Sequence, residues 1–175
     1  KVHRLDFVND TTAAVTKGNK TVQSRDSQNG ASNINYGYIG GGYSPSDRVS
    51  TVDRIDYSND TPAATVKGPL SVGRQLVTGT GNVSYGYFAG GSNPAFPGAT
   101  SIVDRFDYSN DTATTPTKGP LSLAKYTMGG AGNASYGWFG GGNVGSPAWT
   151  NLTTVDRVDY SNDTATAAVR GPLSD

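Results

Sequence analysis

Val52-Asp53-Arg54-Ile55-Asp56-Tyr57-Ser58-Asn59-Asp60-Thr61 returns twice in this chain of 175 residues, at Val103–Thr112 and at Val155–Thr164. A looser copy, Val2–Thr11, opens the sequence. Upstream of each full copy lies a second recurring run, Tyr36-Gly37-Tyr38-Ile39-Gly40-Gly41-Gly42, repeated at Tyr85–Gly91 and Tyr136–Gly142. Downstream lies a third, Lys67-Gly68-Pro69-Leu70-Ser71, repeated at Lys118–Ser122 and, with arginine leading, at Arg170–Ser174; Lys17-Gly18 keeps only its start. The leading valines at positions 2, 52, 103 and 155 define a unit of about 50 residues.

Each unit reads as four short strands, a to d, separated by turn signals. In the middle copy, strand a is expected over about Arg74–Thr80, b over Tyr85–Ala89, c over Ile102–Tyr108 and d near Thr112–Thr117. Gly81-Asn82 and Ser109-Asn110-Asp111 supply turns, and Gly119-Pro120 ends the pairing because proline has no N–H for a ladder. Alternation along strand c puts Val103, Arg105 and Asp107 on one face and Asp104, Phe106 and Tyr108 on the other. Both faces mix apolar and charged groups, as expected of a strand held between two neighbouring sheets. Four strands per unit of this length predict an all-β chain of β-propeller blades, since one such sheet cannot bury both faces alone. The chain divides into a half unit at 1–22 (strands c and d) and units at 23–72, 73–122 and 123–175, all within one propeller domain.

Composition agrees. Glycine numbers 24, while Lys plus Arg and the acidic residues number 14 each, for zero formal net charge. That balance argues against a nucleic-acid partner recognised by bulk positive charge. All the acidic residues are Asp, and helix formers are scarce, which excludes a helical bundle. Without cysteine there are no disulfides or thiolate metal sites. No apolar run approaches the ~18 residues of a membrane helix, so no membrane span is expected.

The motifs resemble kelch repeats, in which a strand ending in a double glycine is followed by a variable loop, a valine-led strand, a turn and a Pro/Arg segment. Tyr87-Phe88-Ala89-Gly90-Gly91, Val103-Asp104-Arg105-Phe106-Asp107 and Gly68-Pro69-Leu70-Ser71-Val72-Gly73-Arg74 are similar to those parts. One departure is the Thr/Ala-rich last strand at Thr112–Thr117, where kelch repeats usually carry a tryptophan. The wording of Val52–Thr61 and Lys67–Ser71 is also similar to repeats in structural and tail-fibre-type proteins of marine phages, which implies a virion or host-attachment role. Three blades and a half do not close a ring, so further blades are expected from the same longer chain or from another chain.

Chemistry-bearing motifs read mostly as frame. Asp56-Tyr57-Ser58-Asn59-Asp60 has the spacing of a calcium loop, but Thr61 stands where that loop needs glycine and no acidic residue closes it, so a turn is expected. The Asn-x-Ser/Thr triplets at Asn9, Asn59, Asn110 and Asn162, and at Asn19, Asn82, Asn133 and Asn151, read as turns in the same way. His3 is the only histidine, and no nucleophile–base set can be built around it. Every Asp except Asp26, Asp47 and Asp175 belongs to the repeated frame. The chain therefore reads as non-enzymatic, with no catalytic residues, cofactor or metal. What varies between units is the b–c loop: Tyr43–Ser50, Ser92–Thr100 and Asn143–Asn151. Loops held by a rigid scaffold carry function, so Tyr43, Arg48, Phe96 and Trp149 are the candidate contacts for a glycan or protein surface. The expected role is a structural or adhesion module at the cell exterior or virion surface. The alternatives are an intracellular propeller adaptor and a part of a carbohydrate-active enzyme using Asp26 or Asp47.

Overall fold

A computed structural model describes residues 1–9, 11–21, 25–93, 96–145 and 150–174. Among them every regular element is a strand; none forms a helix, so none forms one long and apolar enough to cross a membrane. The half unit supplies β1 (His3–Arg4) and β2 (Val15–Thr16), which pair with each other. The first unit forms an antiparallel sheet in chain order from β3 (Asn29–Ser32), β4 (Tyr36–Gly40), β5 (Val52–Asp56) and β6 (Thr65–Lys67). The second contributes β7 (Thr78–Gly81) and β8 (Tyr85–Ala89), a small hairpin of β9 (Ser92–Asn93) and β10 (Phe96–Ala99), and β11 (Val103–Asp107). The third repeats the pattern of the first with β12 (Gly129–Gly132), β13 (Tyr136–Gly140), β14 (Val155–Asp159) and β15 (Ala168–Arg170).

Side chains write the turns. Between strands a and b, the side-chain oxygens of Asn33, Asn82 and Asn133 each accept from the two backbone N–H groups that open strand b or just precede it. After strand c, Asp56, Asp107 and Asp159 each accept from the backbone and hydroxyl of the serine two residues on. The calcium-like segments are thus turns. Hydrogen bonds from Ser58 and Ser161, the hydroxyl first and the backbone next, hold the carboxyls of Asp56 and Asp159 below the usual carboxylate range.

The expected strand d of the second unit is not a strand. Its one ladder position is the bridge Asp104↔Thr117, although the Pro116 carbonyl still accepts from Arg105 N at 3.1 Å. In the first and third units Thr65 and Ala168 occupy the place of Pro116 and pair with Arg54 and Arg157. Proline cannot return the second bond of that pair, so the ladder shrinks to a bridge. Strand a is also shorter than expected, beginning at Thr78 rather than Arg74, because the positive φ of Leu76 (57°) takes the backbone out of extended conformation just before it.

Consecutive sheets stack through two cores. Tyr38, Val52 and Leu70 of the first unit close on Val77, Phe88 and Phe106 of the second; Tyr87, Val103 and Leu121 of the second close on Met128, Phe139 and Val158 of the third. Burying each such side chain contributes about 1.5–3 kcal/mol. In each core a strand-b tyrosine stacks on the strand-c tyrosine of the next unit, Tyr38 on Tyr108 at 4.8 Å and Tyr87 on Tyr160 at 4.6 Å. The Tyr-Gly-Tyr motif therefore serves packing. A methyl on Gly86 would lie 2.9 Å from the Tyr108 hydroxyl, so only glycine lets that ring lie over the neighbouring strand.

A charged clamp closes each junction. Asp111 takes Arg54 at 2.7 Å, Lys67 at 3.1 Å and the Tyr38 hydroxyl at 3.3 Å. Asp163 takes Arg105 at 2.9 Å, Lys118 at 3.2 Å and the Tyr87 hydroxyl at 2.9 Å. Asp60 takes Arg4 at 3.0 Å and Lys17 at 3.2 Å from the half unit. Backbone bonds accompany the clamps, Gly18, Gly68 and Gly119 donating to the carbonyls of Asp60, Asp111 and Asp163. Arg105 thus has its partner in the next unit, whereas Asp107 is held within its own turn.

The a strands of consecutive units also approach closely. A methyl on Gly79 would stand 2.2 Å from the Gly30 carbonyl, and one on Gly130 would stand 2.8 Å from that of Gly79. Just before these strands, Leu76 N donates to Ser27 O at 2.7 Å and Thr127 N to Leu76 O at 3.3 Å, an unbroken backbone chain through three units. All three residues have positive φ, between 52° and 57°.

Candidate functional site

The b–c loops leave each sheet through a pair of glycines with positive φ: Gly41 and Gly42, Gly90 and Gly91, Gly141 and Gly142. At Gly90 the need is steric as well, because a methyl would stand 2.3 Å from the Lys125 carbonyl of the next unit. Each loop then starts with a backbone bridge to the segment before strand a: Tyr43 to Asp26, Ser92 to Gln75 and Asn143 to Tyr126.

Beneath each loop sits a buried cation. Arg25 donates to the carbonyls of Ile39 and Thr51, which flank the first loop, at 3.1 Å each. Arg74 donates to Gly90 O at 2.6 Å and Ile102 O at 3.0 Å around the second. Lys125 donates to Phe139 O at 3.1 Å and Thr154 O at 3.0 Å around the third. The cation therefore ties the two ends of the loop together. Its charge is balanced by the first Asp of strand c: Arg25 by Asp53 at 2.8 Å, Arg74 by Asp104 at 2.6 Å and Lys125 by Asp156 at 3.1 Å, all with fully buried side chains. Burial pushes the Asp104 carboxyl up and the Arg74 guanidinium down, and each partner opposes the other's shift. Burial likewise lowers Arg25 against the pull of Asp53. Such a pair adds little net stability over an apolar filling, but removing one member strands a buried charge.

On these bases the loops differ. In the first, Tyr43 bridges Arg48, whose guanidinium lies over the Tyr43 ring at 5.7 Å; both are half-buried. Structure thus unites two of the residues singled out in the sequence. Asp47 is exposed at the tip and accepts from Arg48 N at 2.7 Å, while Asp26 contributes its backbone to the Tyr43 bridge. The second loop is the β9–β10 hairpin, with Phe96 opposite Asn93 and a register irregularity between Phe96 and Ala99. In the third, Asn143 bridges Asn151, and its side chain donates to Asn151 Oδ1 at 3.1 Å and accepts from Gly145 N at 2.6 Å. Trp149, the remaining sequence candidate, lies outside the described residues.

The loops adjoin one another. The Asn93 side chain donates to Gly73 O at 2.5 Å, and Gly73 packs on the Arg48 carbonyl, joining the first loop to the second. A methyl on Gly145 would meet the Tyr126 ring at 3.1 Å and Gly98 Cα at 3.6 Å, joining the second to the third. The outcome is a continuous rim with Tyr43 and Arg48 at one end. His3 is far from any such grouping in function, standing exposed on β1. Sequence reasoning missed the buried cations. Part of their signal was there, a basic residue three places after Leu-Ser for Arg74 and Lys125 (though not for Arg25) and an Asp after each strand-c valine, but spacing alone did not reveal that they meet. The chain matches no protein-family model and no curated protein.

Proposed function

We propose that the chain is a non-enzymatic structural or adhesion module, a kelch-like β-propeller segment that binds a glycan or protein surface through its b–c loops on a virion or cell exterior. The observation that carries this reading is the rim itself. Three loops of different sequence adjoin one another, and each is tied at its base by the same buried cation and the same backbone bridge. A rim built that way can change its sequence without disturbing the sheets below, as recognition of a particular surface requires. The half-buried Tyr43–Arg48 pair offers an aromatic face and a cation together, suited to stacking on a sugar ring or anchoring a protein side chain. The blade-like reading is supported by the approach of the a strands and by the identical clamps at successive junctions. The clamped and buried Asp residues favour structural over catalytic use of the frame.

The test is a glycan array and a cell-surface binding assay with the full chain, beside a Tyr43→Ala, Phe96→Ala, Trp149→Ala variant. Binding by the parent and its loss in the variant, with unchanged circular dichroism, supports the proposal. Binding that survives all three substitutions rejects the loops as the contact surface.

A further inference from the structure

The b–c loops rest on a repeated piece of ladder whose side chains do not repeat. In each unit the first loop residue exchanges both backbone bonds with the segment before strand a: Tyr43 with Asp26, Ser92 with Gln75 and Asn143 with Tyr126. On its other edge the same residue stands opposite the returning end of the loop, at Arg48, Ala99 and Asn151. Three chain segments thus place one residue each in a row across the rim: Asp26–Tyr43–Arg48, Gln75–Ser92–Ala99 and Tyr126–Asn143–Asn151. Directly opposed residues of an antiparallel pair put their side chains on the same face, with Cβ atoms about 4.5–5.5 Å apart. Each row therefore presents three neighbouring side chains, about 10 Å from end to end, on a backbone that the frame holds constant.

The rows differ in what they leave free. In the third, the Asn143 side chain donates to Asn151 and Gly145 packs on the Tyr126 ring, so the row is closed on itself. The second has no ring and no charge. In the first, an aromatic ring stands between a carboxylate and a guanidinium. Among the described residues the Asp26 carboxylate and the Arg48 guanidinium take no ion pair or hydrogen bond, unlike Arg25, Arg54, Arg74 and Arg105, each of which is paired with an Asp. Lys20, whose charge lies near Asp26, spends its ammonium on Arg25 O and Gln28 Oε1. The Arg48 guanidinium lies 5.7 Å from the centre of the half-buried Tyr43 ring, close to the outer limit of a cation–π contact, so it does not seal that ring. Gln75 holds the Asp26 place in the second unit, with a full unit on either side, and is half-buried; that end of the row therefore stays open when another unit precedes it.

We propose that Asp26, Tyr43 and Arg48 form a subsite for one neutral pyranose ring of a glycan, which gives the loop rim its ligand class and rests on that reading of the rim. A pyranose has an apolar C–H face bordered by hydroxyls that both donate and accept. Its face lies on Tyr43, hydroxyls at one end donate to the Asp26 carboxylate, and hydroxyls at the other accept from Arg48. Charge selects a neutral sugar. Asp26 in the row and the exposed Asp47 beside it outnumber the one cation, so a uronate would meet two like charges and an amino sugar would meet Arg48. A charged protein side chain engages one end of the row and leaves the other unanswered, whereas a polyhydroxylated ring answers both at once. Asp26 is on this reading a ligand-binding residue and not a catalytic acid or base.

The probes are the methyl α-pyranosides of glucose, mannose and galactose, with glucuronate and glucosamine as charged comparisons, titrated into the full chain and followed by saturation-transfer NMR. The expected result is saturable binding of at least one neutral pyranoside, about millimolar as suits a single ring, with transfer to its ring C–H protons. Asp26→Asn, Tyr43→Ala and Arg48→Gln should each weaken it about tenfold, the effect of one charged hydrogen bond or one stacking face. Glucuronate and glucosamine should bind about tenfold more weakly than the neutral sugar, and Asp26→Asn should narrow the gap for glucuronate. Asp26 reaches the ladder through its backbone, so Asp26→Asn keeps the bridge, and an unchanged thermal melt verifies it. No transfer from any of the three pyranosides, binding that Asp26→Asn and Arg48→Gln both leave unchanged, or tighter binding of glucuronate overturns the proposal. If the Tyr43→Ala, Phe96→Ala, Trp149→Ala variant still loses the binding seen on the glycan array or the cell surface, the sugar subsite alone has failed and the loop rim stands. Cell-surface binding that survives periodate oxidation of the surface sugars also overturns the proposal, since the partner at the rim is then a protein.

Discussion

Replacing Asp163 by alanine removes in one step the acceptor shared by Arg105, Lys118 and the Tyr87 hydroxyl at the junction of the second and third units. Its side chain is 7% exposed, those of Arg105 and Lys118 are 25% and 14% exposed, and Tyr87 is fully buried. Deleting one member of a buried ion pair costs about 3–5 kcal/mol. Here the cations keep some water, and Arg105 keeps the Tyr85 ring at 4.4 Å, which places the expected loss near the lower end, about 3 kcal/mol. The matched control is Asp159→Ala, which removes an exposed turn acceptor and is expected to cost far less. Urea denaturation followed by circular dichroism measures both. Since the clamp couples neighbouring sheets, Asp163→Ala should also split the transition, with tryptophan fluorescence from the third unit changing at lower urea than the strand signal. Equal losses in the two variants, or a transition that stays single at full amplitude, would show that the clamp does not hold the sheets together.

Three further outcomes follow from the same contacts. Arg74→Lys should be tolerated at about 1–2 kcal/mol, because Lys125 fills the same place in the third unit, whereas Arg74→Met leaves Asp104 buried and unpaired and should cost at least about 3 kcal/mol; thermal melts of both variants compare the two. Pro116→Thr should restore the missing ladder bond and add about 0.5–1 kcal/mol of stability, with new exchange protection at residue 116. Burial, followed by the nearby Asp111, pushes the Tyr38 phenol up to about 12, and burial also raises Tyr87, Tyr108 and Tyr160. Folded values above the unfolded one mean that this stability is complete below about pH 10 and is lost as pH rises through about 12. Tyrosinate absorbance should therefore rise in two steps, the second coinciding with unfolding, and a single step near pH 10 would count against buried phenols.

Much of the architecture was legible because recurrence shows itself without coordinates. Strands b and c are marked by Tyr-Gly-aromatic and Val-Asp-Arg runs, and the expected b strand, Tyr85–Ala89, is the one observed. Strand d of the second unit was misread because one proline outweighs a Thr-rich run that otherwise favours a strand. The partners of Arg54 and Arg105 could not be read, since they lie more than fifty residues away in the next unit and only stacking brings them near. Variation in length and sequence pointed to the b–c loops, but that Tyr43 and Arg48 meet depends on the bridge between them, which sequence does not announce. The cations under the loops were hidden for a related reason. A buried Arg beside a buried Asp leaves no hydrophobic periodicity, and strand a begins late because Leu76, with φ of 57°, breaks the extended backbone before it.

The proposed blade arrangement requires that the units fan out from their a strands. Nitroxide pairs test it directly, because a chain with no cysteine takes labels only where they are introduced. One pair at the exposed a–b turns, Val83 and Ala134, where Asn82 Nδ2 donates to Ala134 O at 3.3 Å, reports the inner spacing of the second and third units. A second pair at exposed Thr117 and Val169 reports the outer spacing of the same two units. The account predicts a clearly longer distance for the outer pair, and equal distances for the two pairs would contradict it.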